Sequence, residues 1–397
     1  MRPIAVIADD LTGGLDTGVK FRKAGLETQM RVSPGGWLPS RWQPQVMVYN
    51  SDSREVSPQE ASQRVAGIAA DVVGRMVYKK IDSTMRGNPG VELDALLDRL
   101  DVDRVICTPA SPQHGRTVSS GRLFINRVPL RKTDFAADPQ CPFTDDLAVL
   151  LAAQSRFPVH SIDLKTIRSG SRSWLDDAAP GGILLCDAET EADLDRLASA
   201  VEMDRVMLCG SAGLAGAVSR RIKPPAEAIS VEQPGKVEYP ALIVAGSRHP
   251  ATSKQIQTAK ARGDFVEIEV DLRRGDGLAR AERAAGDVLA AEMTPILSAA
   301  SMPFEPRRAA EVAASLGKLT VDICRNAAIK TLFLTGGATA MAVCDAMGIA
   351  CLDIRAEVLA GIPLSRVAGG AFDGMMVITK AGGFGLPTAL LNLFFAR

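Results

Sequence analysis

The sequence predicts an α/β fold with two domains, each a mainly parallel sheet flanked by helices. Short apolar runs alternate with segments of helical periodicity along most of the chain. The first of these runs, Ile4–Ala8, is apolar on both faces, as expected for a strand buried in a parallel sheet. A proline-rich stretch interrupts the alternation past the middle of the chain, after which the alternation resumes. Such alternation is typical of parallel sheets with helical crossovers.

The first domain is predicted to span residues 1–225. Residues 111–145 lack clear periodicity, which predicts a long loop or a short hairpin inserted into this domain. The predicted strands are residues 4–8, 46–49, 76–79, 104–107, 182–186 and 205–208. The predicted helices are residues 14–23, 58–73, 90–100, 191–200 and 214–220.

A linker is predicted at residues 226–240, because this stretch combines prolines with scattered charges. The second domain is predicted at residues 241–397. Its predicted strands are residues 241–245, 265–270, 295–298, 331–334, 350–354 and 375–379. Its predicted helices include residues 252–261 and 307–326.

The composition argues against several classes of protein. Lys plus Arg and Asp plus Glu each number 46, and this neutral balance argues against a nucleic-acid or membrane-surface partner. The sequence shows no targeting pattern and no long apolar run, so a cytoplasmic protein is expected. The seven dispersed cysteines suit a reducing compartment, and the three histidines lack metal-ligand spacing, so a zinc site is not expected. The oligomeric state is left open, with a homo-oligomer among the alternatives.

The first predicted strand ends in Asp9 and Asp10, which Thr12, two glycines and Asp16 follow. In open α/β sheets, ligands bind just beyond the carboxyl ends of the strands. The glycines would let the backbone come close to such a ligand. The alternative interpretation is that Asp10 or Thr12 simply caps the next helix.

Two further strands of the first domain are followed by polar segments with the same design. Arginine and lysine can bind a carboxylate or a phosphate, and aspartates can accept hydrogen bonds from sugar hydroxyls. The combination predicts a site for a small polyhydroxylated acid. The alternative is that each segment contains only helix caps and surface ion pairs. The residues concerned are Arg54 in the first segment and Lys80, Asp82, Ser83 and Arg86 in the second.

Glycine-rich loops follow three predicted strands of the second domain. Loops that lead into helix N-termini expose backbone N–H groups and bind phosphates. Neither the P-loop pattern nor the dinucleotide fingerprint is present, yet three such loops in one domain favour a nucleotide. Lys380 would add a charge. The loops are Val244-Ala245-Gly246-Ser247, Leu334-Thr335-Gly336-Gly337-Ala338-Thr339 and Ile378-Thr379-Lys380-Ala381-Gly382-Gly383-Phe384-Gly385.

These segments resemble those of the four-carbon acid sugar kinase family, which includes threonate, erythronate and 3-oxo-tetronate kinases. The resemblance covers essentially the whole chain. It implies an N-terminal domain that binds the sugar acid and a C-terminal domain that binds ATP. The most specific matches are Ala8-Asp9-Asp10-Leu11-Thr12-Gly13 with Asp16-Thr17-Gly18, Lys80-Ile81-Asp82-Ser83-Thr84-Met85-Arg86-Gly87-Asn88, Gly210-Ser211-Ala212-Gly213-Leu214-Ala215 and Gly382-Gly383-Phe384-Gly385.

The resemblance also implies a set of site residues. The family loop often reads Gly-Gly-Glu-Thr, whereas Ala338 replaces the acid here, and Ala381 stands where serine is common. The implied acid-binding residues are Asp10, Arg54, Lys80, Asp82 and Arg86, to which the residue pattern adds Asp9, Asp16 and Ser83. The implied ATP-binding residues are Ser247, Gly336, Gly337, Ala338, Thr339 and Gly382, to which the pattern adds Gly383.

The resemblance implies ATP-dependent phosphorylation of the terminal (C4) hydroxyl of a four-carbon acid such as D-threonate, D-erythronate or 3-oxo-tetronate, with Mg²⁺ bridging the phosphates. Either Asp10 or Asp82 would orient or deprotonate the hydroxyl, and the sequence does not decide between them. Two alternatives remain: a non-catalytic protein that senses a sugar acid, and another nucleotide-linked α/β enzyme such as a dehydrogenase.

Overall fold

The computed structural model describes residues 2–33, 44–170, 173–176, 181–202, 205–223, 237–299 and 305–395. The chain divides into two compact units, one comprising Met1–Thr28 and Gln43–Ile229 and the other Gln29–Trp42 and Ser230–Arg397. Most of the linker predicted at residues 226–240 lies outside the described residues.

Strands and helices alternate along most of both units. The strands are β1 (Ile4–Ala8), β2 (Thr28–Arg31), β3 (Val46–Asn50), β4 (Met76–Lys80), β5 (Arg104–Thr108), β6 (Arg116–Ser119), β7 (Arg122–Ile125), β8 (Val128–Pro129), β9 (Val159–Ile162), β10 (Gly182–Cys186), β11 (Val206–Gly210), β12 (Ala241–Ala245), β13 (Phe265–Glu269), β14 (Thr294–Ser298), β15 (Thr331–Thr335), β16 (Cys351–Leu359), β17 (Ile362–Val367) and β18 (Met376–Lys380). The helices are α1 (Leu11–Lys23), α2 (Pro58–Asp71), α3 (Pro89–Leu97), α4 (Leu147–Ala152), α5 (Leu164–Arg168), α6 (Ser173–Asp176), α7 (Glu191–Ala198), α8 (Ala212–Arg221), α9 (Pro250–Lys260), α10 (Gly277–Ala290), α11 (Ala309–Asn326), α12 (Gly337–Met347) and α13 (Ala389–Phe394). Strands instead follow one another at β2–β3, β6–β7–β8 and β16–β17–β18.

The first unit is built on a parallel sheet with the strand order β3-β1-β4-β11-β5-β10-β9. Strand β1 is apolar and fully buried because both of its neighbours are strands and helices cover its faces. In register, Ala8 lies opposite Asn50 on one side and Lys80 on the other. The three polar segments that follow β3, β1 and β4 therefore begin side by side at one edge of the sheet.

The aperiodic segment at residues 111–145 contains the antiparallel sheet β6-β7-β8, so the prediction of a short hairpin insert is confirmed. The buried carboxylate of Asp187 accepts hydrogen bonds from the backbone N–H groups of Ser120 and Gly121 at 2.7 and 2.9 Å. This contact fixes the β6–β7 turn to the end of β10.

The second unit contains a mixed sheet with the strand order β13-β14-β12-β15-β18-β17-β16-β2. The first five strands are parallel, and the remaining neighbours are antiparallel. Ala245 lies opposite Thr335, and Thr335 lies opposite Lys380, so the glycine loops after β12, β15 and β18 start from three adjacent strands. Phe265, Phe333 and Phe394 pack into the apolar core of this unit.

The predicted α/β class is confirmed in both units. The strands that the sequence did not predict are β2 and β9, which are short, β17, which carries Pro363 and Arg366, and the three strands of the insert. Strand β16 is longer than predicted and contains irregularities in its pairing with β17. No helix in the described parts of the chain is both long and apolar enough to cross a membrane.

Candidate active site

Arg54 joins the two carboxylates at the end of β1. Its Nε and Nη2 donate to the two oxygens of Asp9 at 2.8 and 2.9 Å, and Nη2 also donates to Asp10 Oδ1 at 2.5 Å. Burial alone would raise the pKa of Asp9, but the charges of Arg54 and Lys80 lower it below its ordinary value. The carboxylates likewise raise the pKa of Arg54 well above its ordinary value against the opposing effect of burial. Asp9 and Arg54 are therefore held in their charged forms, and their hydrogen bonds fix the geometry of the cluster.

Asp10 has a second role as the N-cap of α1. Its Oδ1 accepts the N–H of Gly13 at 3.1 Å, and its Oδ2 accepts the hydroxyl of Thr12 at 2.7 Å. The capping interpretation of Asp10 is thus correct, but it does not exclude a chemical role because the same carboxylate also bonds Arg54. Asp10 is half-buried, whereas Asp9 is buried.

The loop after β4 folds tightly around the carboxylate of Asp82. That carboxylate accepts the Thr84 hydroxyl, the Thr84 N–H at 3.2 Å, and Arg86 Nε and Nη2 at 2.8 and 3.0 Å. Burial alone would raise the pKa of Asp82, but Arg86 and Arg54 lower it well below its usual range. Met85 and Gly87 have positive φ angles of 60° and 87°, which let the loop turn back on itself.

The absence of a side chain at Gly87 lets this loop pack closely against the backbone of Arg54. A Cβ at Gly87 would lie 3.2 Å from the backbone oxygen of Arg54, so a side chain there would push the two segments apart. The insert contacts the same loop, because Arg86 Nη1 donates to Asp138 at 3.1 Å. Asp138 was not predicted as a site residue, since it lies in the aperiodic segment.

Lys80 is a further cation of this cluster, and no acceptor in the described part of the chain holds its ammonium closely. Its side chain is 6% exposed, and its Nζ lies 4.0 Å from Asp9 Oδ1. Among the described residues, no acceptor lies within hydrogen-bonding distance of Nζ. A Cβ at Gly13 would lie 2.6 Å from Nζ, so the glycine leaves room for the ammonium at the first turn of α1. The arrangement suits an external anion.

The structure places two other predicted residues less centrally. Asp16 lies on α1 and forms an ion pair with Lys20 at 3.2 Å, and no contact with Arg54 is seen among the described residues. Ser83 is half-buried in the turn that follows Asp82.

A buried network behind the site was missed from the sequence. Lys79 Nζ lies 2.7 Å from Glu92 Oε2 and donates to the backbone oxygen of Lys80 at 2.9 Å. The Ser53 hydroxyl donates to the other oxygen of Glu92 at 2.5 Å. This network fixes the backbone on both sides of the cluster. A glutamate within the otherwise mostly apolar α3 segment was the one signal that could have indicated it.

In the second unit, the three glycine loops lie against one another. A Cβ at Gly246 would lie 1.8 Å from Thr339 Oγ1, and a Cβ at Gly382 would lie 2.2 Å from Ser247 Oγ. Gly336 has a φ angle of 104° and donates its N–H to the carbonyl of Lys380 at 3.1 Å. The structure thus brings Ser247, Gly336, Thr339 and Gly382 together, which are four of the predicted ATP-binding residues.

The remaining predicted residues of this unit lie beside these four. Gly337 begins α12, and Ala338 is exposed in its first turn, where backbone N–H groups lack partners within the helix. A Cβ at Gly383 would lie 3.2 Å from Nε2 of His249. His249 was not predicted; it caps α9 by accepting the N–H of Ala251 at 3.1 Å.

The donors of these loops are hydroxyls and backbone N–H groups, and their sequences contain no carboxylate. Within the described ranges, no group of three or more His, Cys, Asp or Glu side chains is arranged to hold a metal ion. Hydroxyls and backbone N–H groups at helix N-termini are donors that proteins use to bind phosphate.

Family models match both units. The model described as a sugar-binding N-terminal domain matches residues 4–218, and the one described as a nucleotide-binding C-terminal domain matches residues 242–390. Two solved structures share the fold: one from Salmonella typhimurium LT2 with a TM-score of 0.80 at 24% identity over 98% of both chains, and one from Haemophilus influenzae with a TM-score of 0.73 at 22% identity over 98% of this chain and all of the other.

Three curated relatives are similar over nearly their full length. A D-threonate kinase of Salmonella typhimurium is 33% identical, with 98% of this chain and 97% of the relative covered. A D-erythronate kinase of Heliobacterium modesticaldum is 29% identical, with 96% and 94% covered. A 3-oxo-tetronate kinase of Methylobacterium radiotolerans is 30% identical, with 96% of each covered. The chain therefore belongs to the four-carbon acid sugar kinase family and is a phosphotransferase that acts on a hydroxyl group.

Proposed function

We propose that the protein transfers the γ-phosphoryl group of ATP to the terminal (C4) hydroxyl of a four-carbon sugar acid such as D-threonate, D-erythronate or 3-oxo-tetronate. The observation that carries this proposal is the buried Lys80 ammonium, which has no close acceptor among the described residues and lies beside Asp9, Asp10 and Asp82. A cation next to several carboxylates suits a ligand with an anionic end and hydroxyl groups.

Lys80 would bind the carboxylate of the acid. Arg54 and Arg86 already donate to Asp9, Asp10 and Asp82, so their main part is to orient these carboxylates. This differs from the expectation that Arg54 and Lys80 together bind the carboxylate of the acid. Ser83 would add a hydroxyl, and Asp16 is assigned no contact because its ion pair is with Lys20.

Asp10 is the better candidate for the general base. Both oxygens of Asp82 are engaged by Arg86, and the pKa of Asp82 lies well below its usual range, so Asp82 is a weak base. Asp10 Oδ2 accepts only the Thr12 hydroxyl among the described residues, which leaves an acceptor position for the C4 hydroxyl. Asp82 would instead accept a hydrogen bond from another hydroxyl of the acid.

ATP would bind at the three glycine loops of the second unit. Ser247 would donate its hydroxyl, the N–H groups of Gly337, Ala338 and Thr339 would bind phosphate oxygens, and Gly382 and Gly383 would allow close approach. Mg²⁺ would arrive with the nucleotide as part of the MgATP substrate, since these loops offer no carboxylate. Phosphoryl transfer then depends mainly on positioning and charge neutralisation.

The test is ADP release, measured with MgATP and a panel of D- and L-threonate, D- and L-erythronate, 3-oxo-tetronate, glycerate and 4-hydroxythreonine. Turnover on one four-carbon acid, with glycerate poor, would support the proposal and identify the substrate. Sugar-acid binding without ADP release would contradict it and favour a sensor.

A further inference from the structure

Lys380 is a buried cation for which the proposed chemistry has no direct use. It ends β18 and is 1% exposed. Its Nζ donates to the carbonyls of Ala381 and Gly382, each at 3.0 Å, and to Thr252 Oγ1 at 3.3 Å. All three acceptors are neutral, and among the described residues no carboxylate pairs with it. Burial lowers the pKa of Lys380 to about 8.

Lys380 lies at the start of the third glycine loop, where its hydrogen bonds reach the backbone of that loop and α9. The carbonyl of Gly382 accepts from both Lys380 and the hydroxyl of Thr252, each at 3.0 Å. The carbonyl of Lys380 itself accepts the N–H of Gly336 at 3.1 Å. The same ammonium therefore ties together the loop after β18 and the start of α9, next to Ser247.

A buried charge without a counter-ion is unfavourable, and a neutral residue could fill this space without that penalty. A bound anion would compensate the positive charge of Lys380 and remove this penalty. The carbonyls that it holds are oxygen atoms that would otherwise be able to turn toward a phosphate and repel it.

We propose that Lys380 is a positioning residue for the nucleotide: its ammonium keeps the Ala381 and Gly382 carbonyls turned inward, and its unpaired positive charge attracts the ATP phosphates. The proposal rests on the ATP site of the proposed function. Lys380 supplies the charge expected at these loops without contacting a phosphate directly, because its three hydrogen bonds are already made within the protein.

A dependence on pH follows from this assignment. A phosphate anion favours the charged form of Lys380, so ATP binding raises its pKa above about 8. ATP affinity must then fall as the pH rises through this value. His249, the N-cap of α9, is a titratable residue that lies beside Gly382. Thr252 and Thr335 are neutral.

The experiment is calorimetric measurement of MgATP affinity for the wild type, Lys380→Met and Lys330→Met. Lys330 is the matched control, since it is an exposed lysine before the neighbouring strand β15. We expect Lys380→Met to weaken ATP binding at least about fivefold near pH 7 and to abolish the decline at higher pH, with sugar-acid affinity unchanged. Lys330→Met should bind ATP like the wild type.

Equal ATP affinity in Lys380→Met and the wild type would overturn the positioning role while leaving the ATP site in place. Absence of ATP binding to the wild type would overturn the proposed function and this inference together. If Lys380→Met does not fold, the wild-type profile decides: a flat ATP affinity between about pH 7 and pH 9.5 contradicts the role, and a decline supports it.

Discussion

Arg86 binds both carboxylate oxygens of Asp82, with Nε 2.8 Å from Oδ2 and Nη2 3.0 Å from Oδ1. Its third nitrogen donates to Asp138 of the insert at 3.1 Å. Arg86 thus donates hydrogen bonds to two protein carboxylates, those of Asp82 and Asp138. Within the described part of the chain Asp10 has no such bidentate partner, and this difference supports Asp10 as the proposed base.

Replacing Asp10 by Asn should lower kcat by about 10²–10⁴, because the amide cannot take the proton of the attacking hydroxyl. Steady-state kinetics with the preferred acid measures this loss. Asp82→Asn serves as the comparison and should act more strongly on the KM for the acid than on kcat. A kcat loss below about tenfold in Asp10→Asn would remove Asp10 as the base.

Replacing Lys80 by Met should weaken binding of the acid by about 10- to 100-fold, since one hydrogen bond to a charged group is lost. Calorimetry in the absence of nucleotide measures this affinity directly. The exposed Lys165 provides a control, and Lys165→Met should bind like the wild type. Unchanged affinity in Lys80→Met would mean that another group binds the carboxylate.

The Asp82–Arg86 pair should make stability depend on pH in the acid range. The folded-state pKa of Asp82 lies well below the ordinary 3.8 because Arg86 and Arg54 outweigh the effect of burial. A lowered pKa contributes stability that is present above the unfolded value and is lost as the pH falls through the folded value. Arg86→Met should therefore reduce the free energy of unfolding by about 1.5–3 kcal/mol at neutral pH.

Urea unfolding of the wild type and Arg86→Met, at neutral pH and in strong acid, tests this dependence. The difference between the two proteins should shrink in acid, where Asp82 becomes protonated. A difference that stays constant with pH would show that Arg86 stabilises the fold by packing alone.

Gly246→Ala should disturb the nucleotide loops, because its Cβ would lie 1.8 Å from Thr339 Oγ1. We expect a loss of about 1–3 kcal/mol in stability and a higher KM for ATP. Gly286→Ala is the matched control: it lies in α10, no atom beyond the backbone of its own helix and its chain neighbours lies within 4 Å of the new Cβ, and it should stabilise the helix by about 0.5–1 kcal/mol. Thermal unfolding and steady-state kinetics with ATP measure both variants. Equal stability and an equal KM for ATP in Gly246→Ala and Gly286→Ala would contradict the close packing of these loops.

Much of the candidate site was predictable because polar residues followed strands that proved to be neighbours. The segments after β1, β3 and β4 start side by side, and so do the glycine loops after β12, β15 and β18. Apolar runs indicate strands, and strand ends in parallel sheets share an edge.

What the sequence could not show is which partner each charge takes. Asp138 lies in a segment without periodicity, so its ion pair with Arg86 depends on how the insert folds. The Lys79–Glu92 pair joins a strand to a helix through tertiary packing. The inward hydrogen bonds of Lys380 likewise depend on the turn that follows β18.

The most direct test of the central claim is ³¹P NMR of the product formed from MgATP and the preferred four-carbon acid. Transfer to the terminal hydroxyl predicts a phosphate ester whose phosphorus signal is split into a triplet by the protons of the C4 methylene group. A doublet would place the phosphate on a secondary hydroxyl, and release of inorganic phosphate without an ester would contradict phosphoryl transfer to the acid.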